Sequence, residues 1–257
     1  MKGSQASTAT WNRQAKNNSL KGMEKPWKSF ESPLTAEQLQ ALRRLDACTL
    51  ANAIETFQER LRNEGFIDRS ISAIFPRLQP MVGFAATVKI RGSQPPTASG
   101  IYPDRTDLWD YICSVPAPRV LVVEDRSTKP GTGSLLGAVH TNIVRALGCV
   151  GAVTNGSVRD IPALGSLAFP VFAGGICVSH AYVHIVEMGG VVEIGGLKIK
   201  SGDLLHGDMH GVQSIPLDIA ARLPIAAAKI TQLEQQIISL CRSSEFSLEK
   251  LRALVAT

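Results

Sequence analysis

Two short runs rich in β-branched residues, Val120 to Glu124 and Val150 to Thr154, flank a segment from Gly137 to Leu147 that is closed by Gly148. A glycine just past the last periodic residue is the usual end of a helix, so the order reads strand, helix, strand. Parallel strands need such a crossover and antiparallel ones do not, so the pattern predicts a largely parallel element. Ligand sites in sheets of this kind gather at the carboxyl ends of the strands. Further strands are expected at Phe84 to Ile90, Val171 to Ala173, Val191 to Ile194 and Leu197 to Ile199. Upstream, Thr35-Ala-Glu-Gln38 has the spacing of a capping box. Apolar residues at Leu39, Leu42, Leu45, Leu50, Ile54 and Phe57 predict two amphipathic helices that meet near Asp46. Pro95-Pro96 marks an exposed loop from Arg91 to Gly100, and no internal repeat is evident. Composition and periodicity together reach "α/β, single core".

The 257 residues are 44% apolar and 19% charged, enough for one core of about 200 residues with appended segments. We divide the chain into a basic tail (1–33), a main domain (34–242) and a C-terminal helical extension (243–257). The net charge of +5 is not a nucleic-acid signal, because most of it sits in the tail: Lys2, Arg13, Lys16, Lys21, Lys25 and Lys28 outnumber Glu24 and Glu31 there. That tail is also rich in Ser, Asn and Gln, which predicts a flexible segment, with Trp11 and Trp27 available to dock on the body or on a neighbouring copy. No apolar run approaches the roughly 20 residues that cross a bilayer, and the N-terminus lacks a signal-peptide core. Five scattered cysteines, Cys48, Cys113, Cys149, Cys177 and Cys241, read as buried free thiols in a reducing, cytoplasmic compartment. Walker, dinucleotide and nucleophile-elbow motifs are absent, so phosphate-driven, hydride-transfer and serine-hydrolase chemistry has no support in the sequence.

The chemistry-bearing stretch is Gly148-Cys-Val-Gly-Ala-Val-Thr-Asn-Gly-Ser-Val-Arg-Asp160, an apolar strand that runs through a glycine turn into Arg159 and Asp160. Arg offers a rigid fork matched to carboxylate or phosphate, and Asp offers hard oxygens suited to Mg²⁺ or Mn²⁺. A solvated surface pair is the competing use; a direct Arg159 to Asp160 salt bridge is not expected, since neighbours on an extended segment point apart. The helix start near Gly137 would add free backbone amides and a positive dipole end facing the same anion.

Together with Gly137-Ala-Val-His140, Phe169-Pro-Val-Phe-Ala-Gly-Gly175, Val192-Glu-Ile-Gly-Gly196, Ser201-Gly-Asp203 and Asp208-Met-His-Gly-Val212, this stretch resembles the RraA-like family, which includes the 4-hydroxy-4-methyl-2-oxoglutarate aldolases. The resemblance covers roughly residues 35 to 240. It implies a layered α/β sandwich with a central mixed sheet, of the swivelling-domain type, assembled as a homotrimer or a dimer of trimers. Arg159 would then grip the carboxylate of a pyruvate unit, and Asp160 would hold the divalent metal. Gly137, Ala138, Val139 and His140 would form the substrate loop, and Glu234 would be the acidic residue offered from a neighbouring subunit. Two positions depart from the family: Ala138 and Ala163 stand where acidic residues are common, and the first loss removes a carboxylate that would hold metal-bound water.

The remaining histidines admit a metal reading, because His180, His184 and Glu187 would share one face of a helix, while His206 and His210 flank Asp208. Packing or hydrogen bonding is the favoured use for these. His140 differs through its place in the substrate loop, where a neutral imidazole could shuttle protons. The sequence therefore points first to a Mg²⁺- or Mn²⁺-dependent carbon-carbon lyase that releases pyruvate from a 2-oxo acid or decarboxylates oxaloacetate. The alternative is a non-catalytic regulator that binds an RNA-degrading partner.

Overall fold

The computed structural model describes residues 31–97, 100 and 102–255. Trp11 and Trp27, with nearly all of the basic tail, lie outside the described residues. Helix α1 (Ala36–Arg43) starts as its sequence predicts: Thr35 Oγ1 accepts the Gln38 N–H, and Gln38 Oε1 accepts the Thr35 N–H. Asp46 ends the connection by accepting the Thr49 N–H, which starts α2 (Ala47–Glu55). Leu39 and Leu42 of α1 and Leu50 and Ile54 of α2 are buried, so the two helices share one apolar face.

The main sheet is built around parallel strands. β1 (Ser72–Ala73), β2 (Met81–Arg91), β3 (Arg119–Asp125), β4 (Cys149–Val158), β5 (Val171–Ile176), β6 (His184–Met188), β9 (Leu204–Asp208) and β10 (Gly211–Ile215) form it, while β7 (Val192–Ile194) and β8 (Leu197–Ile199) pair as a small separate sheet. The order is β1-β5-β4-β3-β2-β9-β10, with β2 to β5 parallel to one another and β1, β9 and β10 antiparallel to their partners. β6 pairs antiparallel with the far end of β2, beyond β9. The sheet is thus mixed, as expected.

Crossover helices join the successive parallel strands: α3 (Arg105–Ser114) before β3, α4 (Ala138–Ala146) before β4 and α5 (Ile161–Ser166) before β5. Alternation along the strands feeds two cores. Val82, Phe84, Ala86, Val88 and Ile90 of β2, with Leu121 and Val123 of β3, pack towards the helices. Met81 and Ala85, with Val120 and Val122, pack with Val192, Ile194, Leu197 and Ile199 of the small sheet. Because the parallel strands are buried on both faces, they read as continuous apolar runs. Helices α6 (Leu217–Ala220) and α7 (Leu223–Arg242) complete the helical layer, α7 packing on α2, and α8 (Leu248–Val255) packs on α7.

Three sequence expectations require correction. His184 and Glu187 lie on a strand and His180 in the loop before it, so the proposed shared helix face does not exist; each ring instead holds a backbone carbonyl, His180 Nδ1 to Ala181 at 2.8 Å and His184 Nδ1 to Tyr182 at 2.8 Å. His206 is buried with Nε2 on the Leu45 carbonyl, and His210 pairs with Asp208 at 3.0 Å, so the hydrogen-bonding reading stands for the described histidines outside the loop. The cysteines are free, but only Cys149 is buried; Cys48, Cys113 and Cys241 are exposed, Cys48 and Cys241 standing on outward helix positions. The strands β1, β6, β9 and β10 are additions to the predicted set. No described helix is long and apolar enough to cross a membrane.

Candidate functional site

Backbone pairing brings the two halves of the candidate site together. A parallel bridge joins Leu136 to Val158, and the Arg159 N–H donates to the Leu136 carbonyl at 3.1 Å. The loop leading to Leu136 is itself anchored on the end of β3: the buried Asp125 carboxylate accepts the N–H groups of Ser127 and Gly131. Gly137, the N-cap residue of α4, is therefore held against Arg159 and Asp160, the first residues after β4. The contact is close enough to require glycine. A Cβ on Gly137 would stand 2.7 Å from Asp160 Oδ2 and 3.0 Å from Arg159 Nε.

Asp160 sits in the left-handed region (φ 59, ψ 39), where Asp and Asn are the best tolerated of the side-chain-bearing residues. That turn swings its carboxylate away from its own helix α5 and onto the neighbouring one. Oδ2 accepts the Ala138 N–H at 2.8 Å, so Asp160 caps α4, whose own N-cap residue Gly137 has no side chain to do so. The same turn overturns the expectation that Arg159 and Asp160 would avoid each other. Their charges lie 3.9 Å apart, Arg159 Nε to Asp160 Oδ2, because Asp160 is not extended. Both side chains are partly exposed, so the pair contributes at most about 1 kcal/mol. Among the described residues Arg159 makes no hydrogen bond through its side chain, which leaves the fork open.

These groups line an open cleft with Arg105, Ser134, His140 and His180. Gly137, Val139, His140, Arg159 and Asp160 all face it, so the structure unites the residues singled out in the loop with the Arg-Asp pair; Ala138 joins through its backbone. Glu234 is exposed on α7 and is not among the lining residues. Arg105, at the start of α3, was not anticipated; its only sequence signal is a basic residue one step after the helix-capping Asp104. The first-turn amides of Val139 and His140 find no acceptor among the described residues, so α4 presents donors on one side of the cleft and two guanidinium groups stand around it. This is an anion-binding arrangement. His140 is 8% exposed and its Nε2 is buried without a partner. Burial, with the charge of Arg105 second, lowers its pKa to about 4, so the imidazole is neutral at pH 7.

The donor set decides which cation suits the cleft. Among the described residues no three His, Cys, Asp or Glu side chains gather as a metal cluster, which argues against a zinc cage. Asp160 leaves Oδ1 without a hydrogen bond among those residues, and its side chain is 40% exposed. Mg²⁺ keeps several waters and uses one or two carboxylates, so a single open carboxylate oxygen fits Mg²⁺ or Mn²⁺.

Comparison with known proteins adds three findings. A protein-family model described as RraA-like, Aldolase/RraA, matches residues 47–213. A protein of Halalkalibacterium halodurans, provisionally named a 4-hydroxy-4-methyl-2-oxoglutarate aldolase, is 34% identical over 86 residues, covering 33% of this chain and 41% of its own. Protein DlpA of Legionella pneumophila is 30% identical over 147 residues, 56% of this chain and 23% of its own, so this chain spans less than half the length of either curated relative. Among solved structures, an uncharacterized protein from Pseudomonas syringae aligns with a TM-score of 0.68 at 25% identity, over 87% of this chain and 96% of that one. RraAS2 of Streptomyces coelicolor, titled an unusual member of the RNase ES inhibitor RraA family, aligns with a TM-score of 0.62 at 23% identity, over 82% and 98%, which bears on the fold alone.

Proposed function

The chain belongs to the RraA-like family, and on that premise we propose that it is a divalent-metal-dependent lyase acting on a 2-oxo acid, with retro-aldol release of pyruvate or decarboxylation of oxaloacetate as its reaction. The observation that carries the reading is the convergence, in one cleft, of a guanidinium whose fork makes no hydrogen bond among the described residues (Arg159), free first-turn amides of α4 and a carboxylate with an open oxygen (Asp160). The aldolase name of the Halalkalibacterium halodurans relative supports the same class.

In this mechanism Arg159 binds the substrate carboxylate through its fork and fixes the orientation of the 2-oxo group. The amides of Val139 and His140 add donors to the same anion. Asp160 keeps α4 in register through Ala138 while its Oδ1 is the ligand for Mg²⁺ or Mn²⁺. When bound, such an ion supplies Lewis acidity to the 2-oxo oxygen. Gly137 permits the approach of Arg159 and Asp160, so it acts by what it lacks. Glu234 lies outside this cleft, so the proposal gives it a part only across a subunit boundary, in a homotrimer or dimer of trimers.

A second reading is favoured by Ala138 and Ala163, which stand where the family commonly carries acidic residues: a non-catalytic regulator binding an RNA-degrading partner. The open Asp160 oxygen and free Arg159 fork count against it. Calorimetry with oxalate, a planar mimic of pyruvate enolate, tests the lyase reading in the presence of Mn²⁺. Arg159→Lys keeps the charge and loses the fork, and is expected to weaken binding by about 1 to 3 kcal/mol. Unchanged affinity removes Arg159 from the site.

A further inference from the structure

His140 is the one buried cleft side chain whose polar atoms remain unused. Its Nε2 is wholly buried with no hydrogen-bond partner, and the ring makes no other hydrogen bond among the described residues. A buried polar group left unpaired costs about 1 to 3 kcal/mol. Such a group in a native fold calls for a reason, and here the ring lines the cleft that holds Arg159 and Asp160. The position is also fixed, since His140 lies in the first turn of α4, one helix start that Asp160 caps. Ala138, meanwhile, offers no side chain able to move a proton.

Resting on the lyase reading above, we propose that His140 is the catalytic base of carbon-carbon cleavage, accepting the proton of the substrate's C4 hydroxyl. As the proton passes to the imidazole, the O–H electron pair becomes the carbonyl of the departing product. The C3–C4 bond breaks and its electrons delocalise onto the 2-oxo group; return of the same proton from the imidazolium to C3 completes pyruvate. No further reactant is required. The neutral ring is the form able to accept a proton at pH 7. Burial is the first cause of its low basicity and Arg105 the second, and an anionic substrate beside Arg105 offsets the part that Arg105 contributes.

Decarboxylation of oxaloacetate breaks a bond at the same carbon without a hydroxyl proton to remove. The two reactions therefore separate this role from a structural one. Wild type, His140→Asn and His140→Gln are assayed in Mg²⁺ with 4-hydroxy-4-methyl-2-oxoglutarate and with oxaloacetate. General base catalysis contributes roughly 10²- to 10⁴-fold, so the ratio of the aldol kcat/KM to the decarboxylase kcat/KM is expected to fall by about 100-fold or more in both variants. An unchanged ratio, whether both rates fall or neither does, overturns the assignment. A wild type that decarboxylates oxaloacetate but cleaves no 4-hydroxy-2-oxo acid overturns it too while leaving the lyase reading standing; a wild type with neither activity overturns both.

Discussion

Asp160 has two separable duties, and substitution at this one position tells them apart. As a structural residue it accepts the Ala138 N–H at 2.8 Å and occupies a left-handed backbone conformation. Asn can do both: its amide oxygen accepts the same bond, and it tolerates that conformation about as well as Asp. Asp160→Asn therefore loses the interaction of a negative charge with the start of α4, about 0.3 to 1 kcal/mol, and the partly exposed ion pair with Arg159, at most about 1 kcal/mol. Ala can do neither. Losing a cap costs about 0.5 to 2 kcal/mol, and the left-handed turn costs a Cβ-bearing residue about 1 to 2 kcal/mol, so Asp160→Ala is expected to lose about 1.5 to 4 kcal/mol besides the same ion pair. At roughly 2 to 4 °C per kcal/mol for a domain of this size, Asn lowers the thermal midpoint by no more than about 8 °C and Ala by about 3 to 20 °C, the larger loss of the two. Both variants lose Mn²⁺ binding, because neither the amide of Asn nor the methyl of Ala carries the charge that holds the ion. Thermal denaturation in chelator gives the first ladder, and Mn²⁺ titration followed by electron paramagnetic resonance gives the second. Equal destabilisation by Asn and Ala refutes the capping argument, and Mn²⁺ binding that survives in Asp160→Asn refutes the metal assignment.

Gly137→Ala places a methyl 2.7 Å from Asp160 Oδ2 and 3.0 Å from Arg159 Nε, although the backbone there (φ -129) suits alanine. Overpacking of this kind costs about 1 to 3 kcal/mol, and here it falls on the Arg-Asp geometry; calorimetry should show oxalate affinity falling at least tenfold, and an unchanged affinity would mean the cleft does not need the close approach. Acid should destabilise the fold through its buried histidines. His140 is lowered to about 4 by burial and Arg105, and His206 is lowered by burial, so between the ordinary histidine value of about 6.5 and about 4 the unfolded chain binds protons that the folded one does not. Urea denaturation at successive pH values should show stability present above about pH 6.5 and falling towards pH 4, by up to about 3 kcal/mol for His140. His140→Leu should flatten part of that slope, and a slope that persists unchanged excludes His140 as its source.

Local signals in this chain revealed local structure well. Thr35 and Asp46 start helices because their oxygens meet amides three residues on, a relation wholly contained in the sequence. Leu197 to Ile199 was readable as a strand for the same reason, being a short apolar-polar-apolar alternation that follows a pair of glycines. β9 and β10 were not, since Leu204-Leu-His-Gly-Asp208 and Gly211-Val-Gln-Ser-Ile215 carry polar residues buried inside the fold, and β9 is fixed by pairing with the distant Met81 to Phe84. His180 and His184 have helical spacing by coincidence, and tertiary pairing of His184 with Arg91 made the segment a strand. At the site, Arg159, Asp160 and the Gly137 loop stand out through their motifs. Arg105 does not, because its place in the cleft depends on where α3 packs and on no pattern around it. The left-handed turn at Asp160 was equally hidden, and it is what converts two diverging neighbours into a pair.

Pyruvate release tests the central claim most directly. Purified full-length protein is incubated with 4-hydroxy-4-methyl-2-oxoglutarate and with oxaloacetate, with excess Mg²⁺ or Mn²⁺ and with chelator, and pyruvate is followed by a coupled dehydrogenase with corrections for the uncatalysed reaction. The account predicts pyruvate from at least one of the two in the presence of metal, loss of that activity in chelator and recovery on adding metal back. Pyruvate formed at the same rate in chelator contradicts the metal-dependent mechanism, and no pyruvate from either substrate at any metal concentration contradicts the lyase reading itself.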